Sequence, residues 1–411
     1  MRTGKHKVVL VGIGGYGNIY LEELLRGCAE GKIDLAGTVD PAPSACRYLR
    51  ELSDMRVPHF SNIGKFIECE RADLAIISTP IHFHDEHTCQ ALAAGMGVVC
   101  EKPLAPTIQQ ALRMKAAEEQ SAGFVAIGYQ WSFAEPILAL KQVVMEGRLG
   151  RPLRLKTLIC WPRPESYFSR NNWAGRIALP GNVWVLDSPA NNAMAHYLHN
   201  MFYLLGNTLQ NSTGLEEVCA ELYRANDIEN YDTVALRCRT DEGVPAFFYA
   251  THTVPANRGP ILEYEFENAV VRLDAEQGNH LCVAWCDGRV HDYGEILEYP
   301  HRGYFNKLWR SLAALDGGLP VSCTIESAMP HVVCVNGAQR TSEEITTFTG
   351  DSLEWIETAA GRVRTVSGLQ QALTDCYLNW ELPGEWGVYS WAKPASPISL
   401  RDNMGNQRFP L

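Results

Sequence analysis

Three glycines in the run Gly12-Ile13-Gly14-Gly15-Tyr16-Gly17 have the spacing that brings a backbone up against a pyrophosphate. Gly12 suits the tight turn, Gly14 the close approach of backbone to phosphate, and Gly17 the packing of helix on strand. Asp40 adds a carboxylate that can accept hydrogen bonds from a ribose 2′-hydroxyl and repel a 2′-phosphate. The chemistry these residues imply is dinucleotide binding, with Gly12, Ile13, Gly14, Gly15, Tyr16, Gly17 and Asp40 as contacts. Asp40 favours NAD; Arg47, close by in sequence, leaves NADP open as an alternative.

The elements needed to position such a loop are present. Lys7-Val8-Val9-Leu10-Val11 is a short apolar strand of the kind buried on both faces of a parallel sheet. Ile19 to Leu25 has helical spacing, so its first N–H groups and positive dipole end would face the phosphates. A second strand, Ile33 to Val39, ends at Asp40. The alternation continues with strands at 72–78, 97–100 and 124–128 and helices over 83–94 and 107–122. Alternation of this kind predicts a doubly wound parallel α/β sheet with ligands at the carboxyl ends of its strands. Ser78, Thr79, Pro80, Glu101, Lys102, Pro103, Tyr129 and Gln130 all fall at those ends.

Beyond about Ala134 the pattern changes. A helix over 136–146 precedes an alternating strand over 152–159, and a loop rich in Trp, Tyr, Arg and Asn leads to a helix over 190–205. Extended segments follow at 217–224, 233–239, 246–253, 262–266, 269–274 and 280–285, with a helix over 324–341. These predict a second α/β domain built on a large antiparallel or mixed sheet. The division expected is a dinucleotide-binding domain over 1–132 and a substrate-binding and oligomerisation domain over 133–411. Its tail, 350–411, is hard to assign, although Trp355, Trp380, Trp386 and Trp391 argue for order.

At 411 residues two domains are the natural expectation. A net charge of −11 argues against nucleic acid or an anionic membrane as partner. No apolar run is long enough to span a bilayer, and Met1 to Lys7 leads straight into a strand without a signal-peptide core. The 13 cysteines are scattered without a CxxC pair, which fits a cytoplasmic chain with reduced thiols and no metal.

Taken together, Gly12-x-Gly14-x-x-Gly17, Thr79-Pro80-x-x-x-His84, Glu101-Lys102-Pro103 and a helix-borne His196 ahead of Leu204-Leu205-Gly206 resemble the Gfo/Idh/MocA oxidoreductases. The likeness covers roughly residues 5 to 345. It implies an N-terminal Rossmann domain and a C-terminal α/β domain whose large, open, mostly antiparallel sheet builds homodimers or homotetramers. The substrate would sit between that sheet and the nicotinamide. The resemblance also implies that Lys102 lies near the reacting carbon, where an amine can accept the hydroxyl proton. Glu101 would position Lys102 or touch the nicotinamide ribose, and His84 would serve the cofactor side or act in packing and capping. Ser78, Thr79, Pro80 and Gln130 complete the cofactor set, and His196 would act on the reacting hydroxyl as acid/base or orienter.

The chain departs from the family pattern in three places. Asn192 stands where Asp-x-x-x-His would have its aspartate, and an amide holds no proton. Asp187 lies upstream, at a spacing that does not match. His199 stands where an acid often follows, and Ile81 replaces the Asn of Thr-Pro-Asn. The loop from Trp161 to Gly175 resembles a substrate-side segment: Tyr167 and Trp173 offer ring faces, while Arg163 or Arg170 would pair with a carboxylate. Asn192 and His199 join Arg163, Tyr167 and Trp173 as substrate contacts.

The activity implied is NAD(P)-dependent oxidation of a secondary hydroxyl of a sugar, inositol or sugar acid, or the reverse. The alternatives are redox-neutral glycoside cleavage or epimerisation with transient oxidation, and a non-catalytic dinucleotide-binding regulator.

Overall fold

A computed structural model describes residues 5–341 and 344–401; the first residues of the basic N-terminus and the last of the 350–411 tail lie outside them. The chain divides into two compact units, the first made of Met1–Ala105, Gln109–Phe133 and Glu298–Glu326 and the second of the remainder.

The first unit is built on six strands: β1 (His6–Val11), β2 (Ile33–Val39), β3 (His59–Phe60), β4 (Leu74–Ile77), β5 (Gly97–Cys100) and β6 (Val125–Ile127). They pair throughout in parallel, in the order β3-β2-β1-β4-β5-β6. All residues of β4, β5 and β6 are buried, which is why these segments read as unbroken apolar runs rather than alternating ones. Helix Gly17–Ala29 links β1 to β2 and turns Tyr20, Leu21 and Leu24 inward. The strand order reverses between β1 and β4, and the crevice outside their carboxyl ends is where such sheets hold ligands.

Residues 298–326, which the sequence reading gave to the C-terminal domain, pack into this first unit. The cause is an amphipathic helix, Asn306–Leu315, absent from the elements expected from sequence although Leu308, Leu312 and Leu315 have helical spacing. It buries Lys307, Leu308, Ser311 and Leu312, and its Trp309 Nε1 donates to Glu23 at 2.7 Å. Arg302, just ahead, reaches Glu30 at 3.0 Å.

The second unit carries β7 (Pro152–Cys160), a two-residue pair β8 (Ala178–Leu179) and β9 (Val183–Trp184), then β10 (Leu215–Arg224), β11 (Thr233–Thr240) and β12 (Pro245–Thr251). It continues with β13 (Arg258–Phe266), β14 (Ala269–Asp274), β15 (His280–Trp285), β16 (Val290–Glu295) and β17 (Thr346–Thr347). A ten-stranded sheet runs β16-β15-β14-β13-β7-β12-β11-β10-β17, parallel at β7–β12 and β10–β17 and otherwise antiparallel along this path, and its tenth strand, Ile398–Ser399, pairs antiparallel with β10 off the path.

The tail that resisted assignment is ordered across its described part. It forms the hairpin Leu353–Thr358/Gly361–Val366 and helix Leu369–Asn379. Leu369, Leu373, Cys376 and Tyr377 of that helix join Leu158, Cys160, Phe247 and Tyr249 in one core, with Trp380, Trp386 and Trp391 against it. Each large apolar side chain so buried contributes about 2 kcal/mol. Lys156 lies under this cover, 4.5 and 4.1 Å from the Tyr377 and Trp380 rings, and pairs with Glu263 at 3.2 Å, which Arg272 also meets at 2.8 Å. The chain's own tail therefore occupies much of the sheet face that the family resemblance offers to a second subunit.

No described helix is long and apolar enough to cross a membrane. Among the described residues no group of three or more His, Cys, Asp or Glu side chains is arranged to hold a metal ion.

Candidate active site

In the first unit the glycine loop lies against the end of β4 with no room to spare. A Cβ on Gly12 would sit 2.5 Å from the Ser78 carbonyl oxygen, and Gly12 itself has φ +87°. A Cβ on Gly17 would sit 2.1 Å from the Gly12 carbonyl oxygen. Gly15 opens instead onto free space, with nothing within 4 Å of a Cβ there. Thr79 lies against the loop, 3.1 Å from the Cβ that Gly12 lacks. Ser78 Oγ is buried close to Gly17 and has no hydrogen-bond partner among the described residues. A backbone cradle with an unsatisfied hydroxyl at its wall fits a dinucleotide's phosphates.

Asp40 closes the cradle from β2. Its Oδ2 accepts the Ile13 N–H at 3.0 Å and its Oδ1 the Ala42 N–H at 2.8 Å. Each oxygen keeps a lone pair, so Asp40 can brace the loop and still receive a ribose hydroxyl. Arg47 is exposed, its backbone N–H held by Asn18 Oδ1 at 2.7 Å. Asp40→Ala is expected to shift the NAD:NADP ratio of kcat/KM towards NADP by about tenfold. An unchanged ratio in steady-state assays would reduce Asp40 to a loop brace.

His84, expected on the cofactor side, is instead a brace. It is 1% exposed, with Nδ1 2.8 Å from the Pro103 carbonyl and Nε2 3.0 Å from the Thr79 carbonyl. Burial lowers its proton affinity while the two carbonyls raise it, and the ring spans the Thr79-Pro80 and Lys102-Pro103 turns, donating to one of the carbonyls when neutral. Packing, the other role weighed for it, is the one it fills.

Glu101 also turns inward. Its Oε1 accepts from Tyr20 Oη at 2.7 Å and from Lys307 Nζ at 2.5 Å, and its Oε2 accepts the Lys102 N–H at 3.3 Å. Glu101 thus meets the Lys102 backbone as well as the Tyr20 and Lys307 side chains. Lys102 stands half-buried just past the end of β5. Tyr16 is turned inward as well: its hydroxyl bonds Tyr304 and accepts from Lys307 at 3.0 Å. Gln130 donates to Glu298 at 2.9 Å, beside Trp131 at 3.0 Å. Lys307, Tyr304 and Glu298 were not singled out from sequence, because all three come from the returning segment.

In the second unit the aromatic loop forms a layered cluster. Arg170 lies 3.7 Å over the Tyr167 ring and 5.1 Å over Trp173, and Arg163 lies 5.1 Å over Tyr167. Trp161 meets Tyr197 edge-on at 5.5 Å. Asp187, 3% exposed, ties this loop to the start of helix Ala195–Leu204. Its Oδ2 accepts the Gly175 N–H at 2.7 Å and lies 4.0 Å from Arg170, while its Oδ1 accepts Asn192 Nδ2 at 2.7 Å. The carboxylate absent at 192 is thus supplied against 192 from five residues upstream, a contact that the expected spacing did not foresee. His196 is half-buried in the first turn of the helix.

His199 is not a surface contact. It is 0% exposed and stacked on Tyr203 at 5.7 Å, and burial holds its proton affinity well below the ordinary range. The expected substrate role for His199 is corrected to a core one, since Tyr197 to Leu204 are all buried and the helix is sunk nearly all round.

Asn192→Asp would set two carboxylates about 2.7 Å apart, so one must hold a proton at a raised pKa. A raised folded-state pKa gives stability that is present below the unfolded value and lost as pH rises through the folded one. The variant is expected to match the parent near pH 4 and to lose about 1–3 kcal/mol by pH 8. Thermal unfolding at both pH values checks this; equal melting at pH 8 would mean the two side chains part freely.

Comparison with known proteins agrees with this geometry. The family model "Oxidoreductase family, NAD-binding Rossmann fold" matches residues 6–129, and "GFO/IDH/MocA C-terminal domain" matches 137–272. An inositol 2-dehydrogenase of Klebsiella pneumoniae is 31% identical over 140 residues, 34% of this chain and 37% of that one. One from Ralstonia nicotianae is 27% identical over 150 residues, 36% of this chain and 44% of that one. The matched stretches thus span less than half the length of these relatives. The WlbA dehydrogenase of Bordetella pertussis, solved with NADH and UDP-GlcNAcA, shares the fold with a TM-score of 0.65 at 19% identity. That match covers 82% of this chain and 97% of that one.

Proposed function

Because this chain belongs to the Gfo/Idh/MocA family of NAD-binding oxidoreductases, we propose that it oxidises a secondary hydroxyl of a sugar, inositol or sugar acid, or reduces the matching ketone. The observation that carries this reading is Lys102, half-buried just past β5 in the unit that holds the glycine cradle, with its neighbours Glu101 and Pro103 buried. When bound, NAD supplies the acceptor for the hydride leaving the alcohol carbon. Lys102, as the free amine, takes the hydroxyl proton, so the alcohol becomes a ketone and the amine an ammonium. The family resemblance gives His196 the part of acid/base or orienter towards the reacting hydroxyl.

Gly14 admits the pyrophosphate while Gly12 and Gly17 close the turn and the helix start against each other, Ser78 Oγ gives the pyrophosphate a hydroxyl, and Asp40 receives the ribose. Tyr167 and Trp173 each carry Arg170 over the ring, so a polyol's C–H faces would meet only the sides that Arg170 leaves uncovered. Arg163 Nε is buried without a hydrogen-bond partner among the described residues, which makes Arg163 the better arginine for a substrate carboxylate. Arg170 is already committed to Tyr167, Trp173 and Asp187.

The experiment is absorbance at the NADH band, with purified protein, NAD and a panel of inositols, sugars and sugar acids. Steady growth with one class supports the proposal. Substrate consumed without growth would move the reading to redox-neutral chemistry, and no turnover with dinucleotide bound would favour a regulator.

A further inference from the structure

Lys307 is a fully buried ammonium, 0% exposed, that the chemistry above does not use. It arrives on helix Asn306–Leu315, far along the chain from the glycine loop, and is packed among the rings of Tyr16, Tyr20 and Tyr304 at 4.9, 5.1 and 5.4 Å. Its Nζ makes two directed contacts, one to Tyr16 Oη at 3.0 Å and one to Glu101 Oε1 at 2.5 Å. Tyr16 belongs to the dinucleotide loop, and Glu101 precedes Lys102 and accepts its backbone N–H. A single charge therefore grips both the loop that cradles the cofactor and the strand end that carries the proposed acid/base group.

Buried ion pairs of this kind add little stability over apolar residues of equal volume, because desolvation offsets the attraction. What a pair of this kind does supply is geometry: a Glu101 carboxylate held by Lys307 and Tyr20 has one orientation in which Oε2 faces the Lys102 N–H. We propose that Lys307 is a positioning residue that couples the dinucleotide loop to Lys102 through Tyr16 and Glu101. The proposal rests on the reading of Lys102 as the acid/base group.

Two full-length variants test it. Lys307→Met/Glu101→Gln removes both charges, leaving no orphaned ion. It is expected to melt within a few degrees of the parent, yet to lose at least tenfold in kcat with KM for the polyol within threefold. Parental melting with parental kcat would overturn the proposal, because the pair would then be structural only. Tyr16→Phe removes one oxygen and no charge, and decides the matter if the double variant does not fold. NADH fluorescence titration is expected to show binding at least fivefold weaker, and unchanged binding would overturn the coupling. Lys102→Ala assayed alongside keeps the two claims apart. Activity retained there would remove the acid/base reading, whereas activity lost there and retained in the double variant would remove Lys307 alone.

Discussion

Lys102→Ala is expected to lower kcat by about 10²- to 10⁴-fold, the range that a positioned proton acceptor contributes. The substitution removes the amine and its stem and leaves the backbone in place. The Lys102 backbone N–H still meets Glu101 Oε2, and Pro103 still meets His84 through its carbonyl. The glycine cradle lies along β1, β4 and the Asp40 carboxylate, all untouched, so NADH should bind within about twofold of the parent, well under 1 kcal/mol. Lys102→Arg should be nearly as slow, because a guanidinium stays charged and cannot accept the proton. Steady-state kinetics and a fluorescence titration measure both quantities, and retained turnover in the alanine variant would take Lys102 out of the mechanism.

Gly17→Ala carries the other large effect. The new methyl carbon would lie 2.1 Å from the Gly12 carbonyl oxygen, which is backbone and cannot rotate away. The helix start and the loop must therefore part, and Gly12 cannot yield towards β4, since its own Cβ position is 2.5 Å from the Ser78 carbonyl. Binding of NADH is expected to weaken at least about 100-fold, near 2.7 kcal/mol. The strands behind the loop are fully buried and should keep the fold, which circular dichroism would verify. A parental dissociation constant in a folded variant would mean that the dinucleotide does not use this loop.

The parts of this protein that sequence made legible are those written in local periodicity. Within the runs at 7–11, 72–78, 97–100 and 124–128, Val8–Val11, Leu74–Ile77, Gly97–Cys100 and Val125–Ile127 are unbroken apolar stretches because both faces of the parallel sheet are covered, and all four lie in strands. Segment 269–274 alternates in burial, 217–224 and 233–239 are buried over most of their length, and all three are strands of the second sheet. Asp40 was legible because it ends β2, directly beside the loop it braces.

What escaped depends on contacts between distant residues. Lys307 looks like any helical lysine until it is found beside Glu101, 206 positions away. Asp187 was set aside on spacing, yet the turn before helix Ala195–Leu204 brings its carboxylate to Asn192. His199 shares a helical spacing with His196, but burial around that helix separates a half-buried ring from a wholly buried one. The hairpin and helix of the tail follow from Leu369, Leu373 and Tyr377 meeting strands laid down two hundred residues earlier, on the order of the chain's half length, for which local pattern carries no signal.

The central claim is that hydride leaves a secondary alcohol carbon of a polyol for the cofactor. It is tested most directly with a polyol deuterated at the reacting carbon, incubated with the protein and NAD. The nicotinamide ring is then read by mass spectrometry and NMR. The account predicts one deuterium at ring carbon C4 for each substrate oxidised, with the label accumulating about 10²- to 10⁴-fold more slowly when Lys102→Ala replaces the parent. Substrate consumed by the parent protein with an unlabelled ring would contradict it.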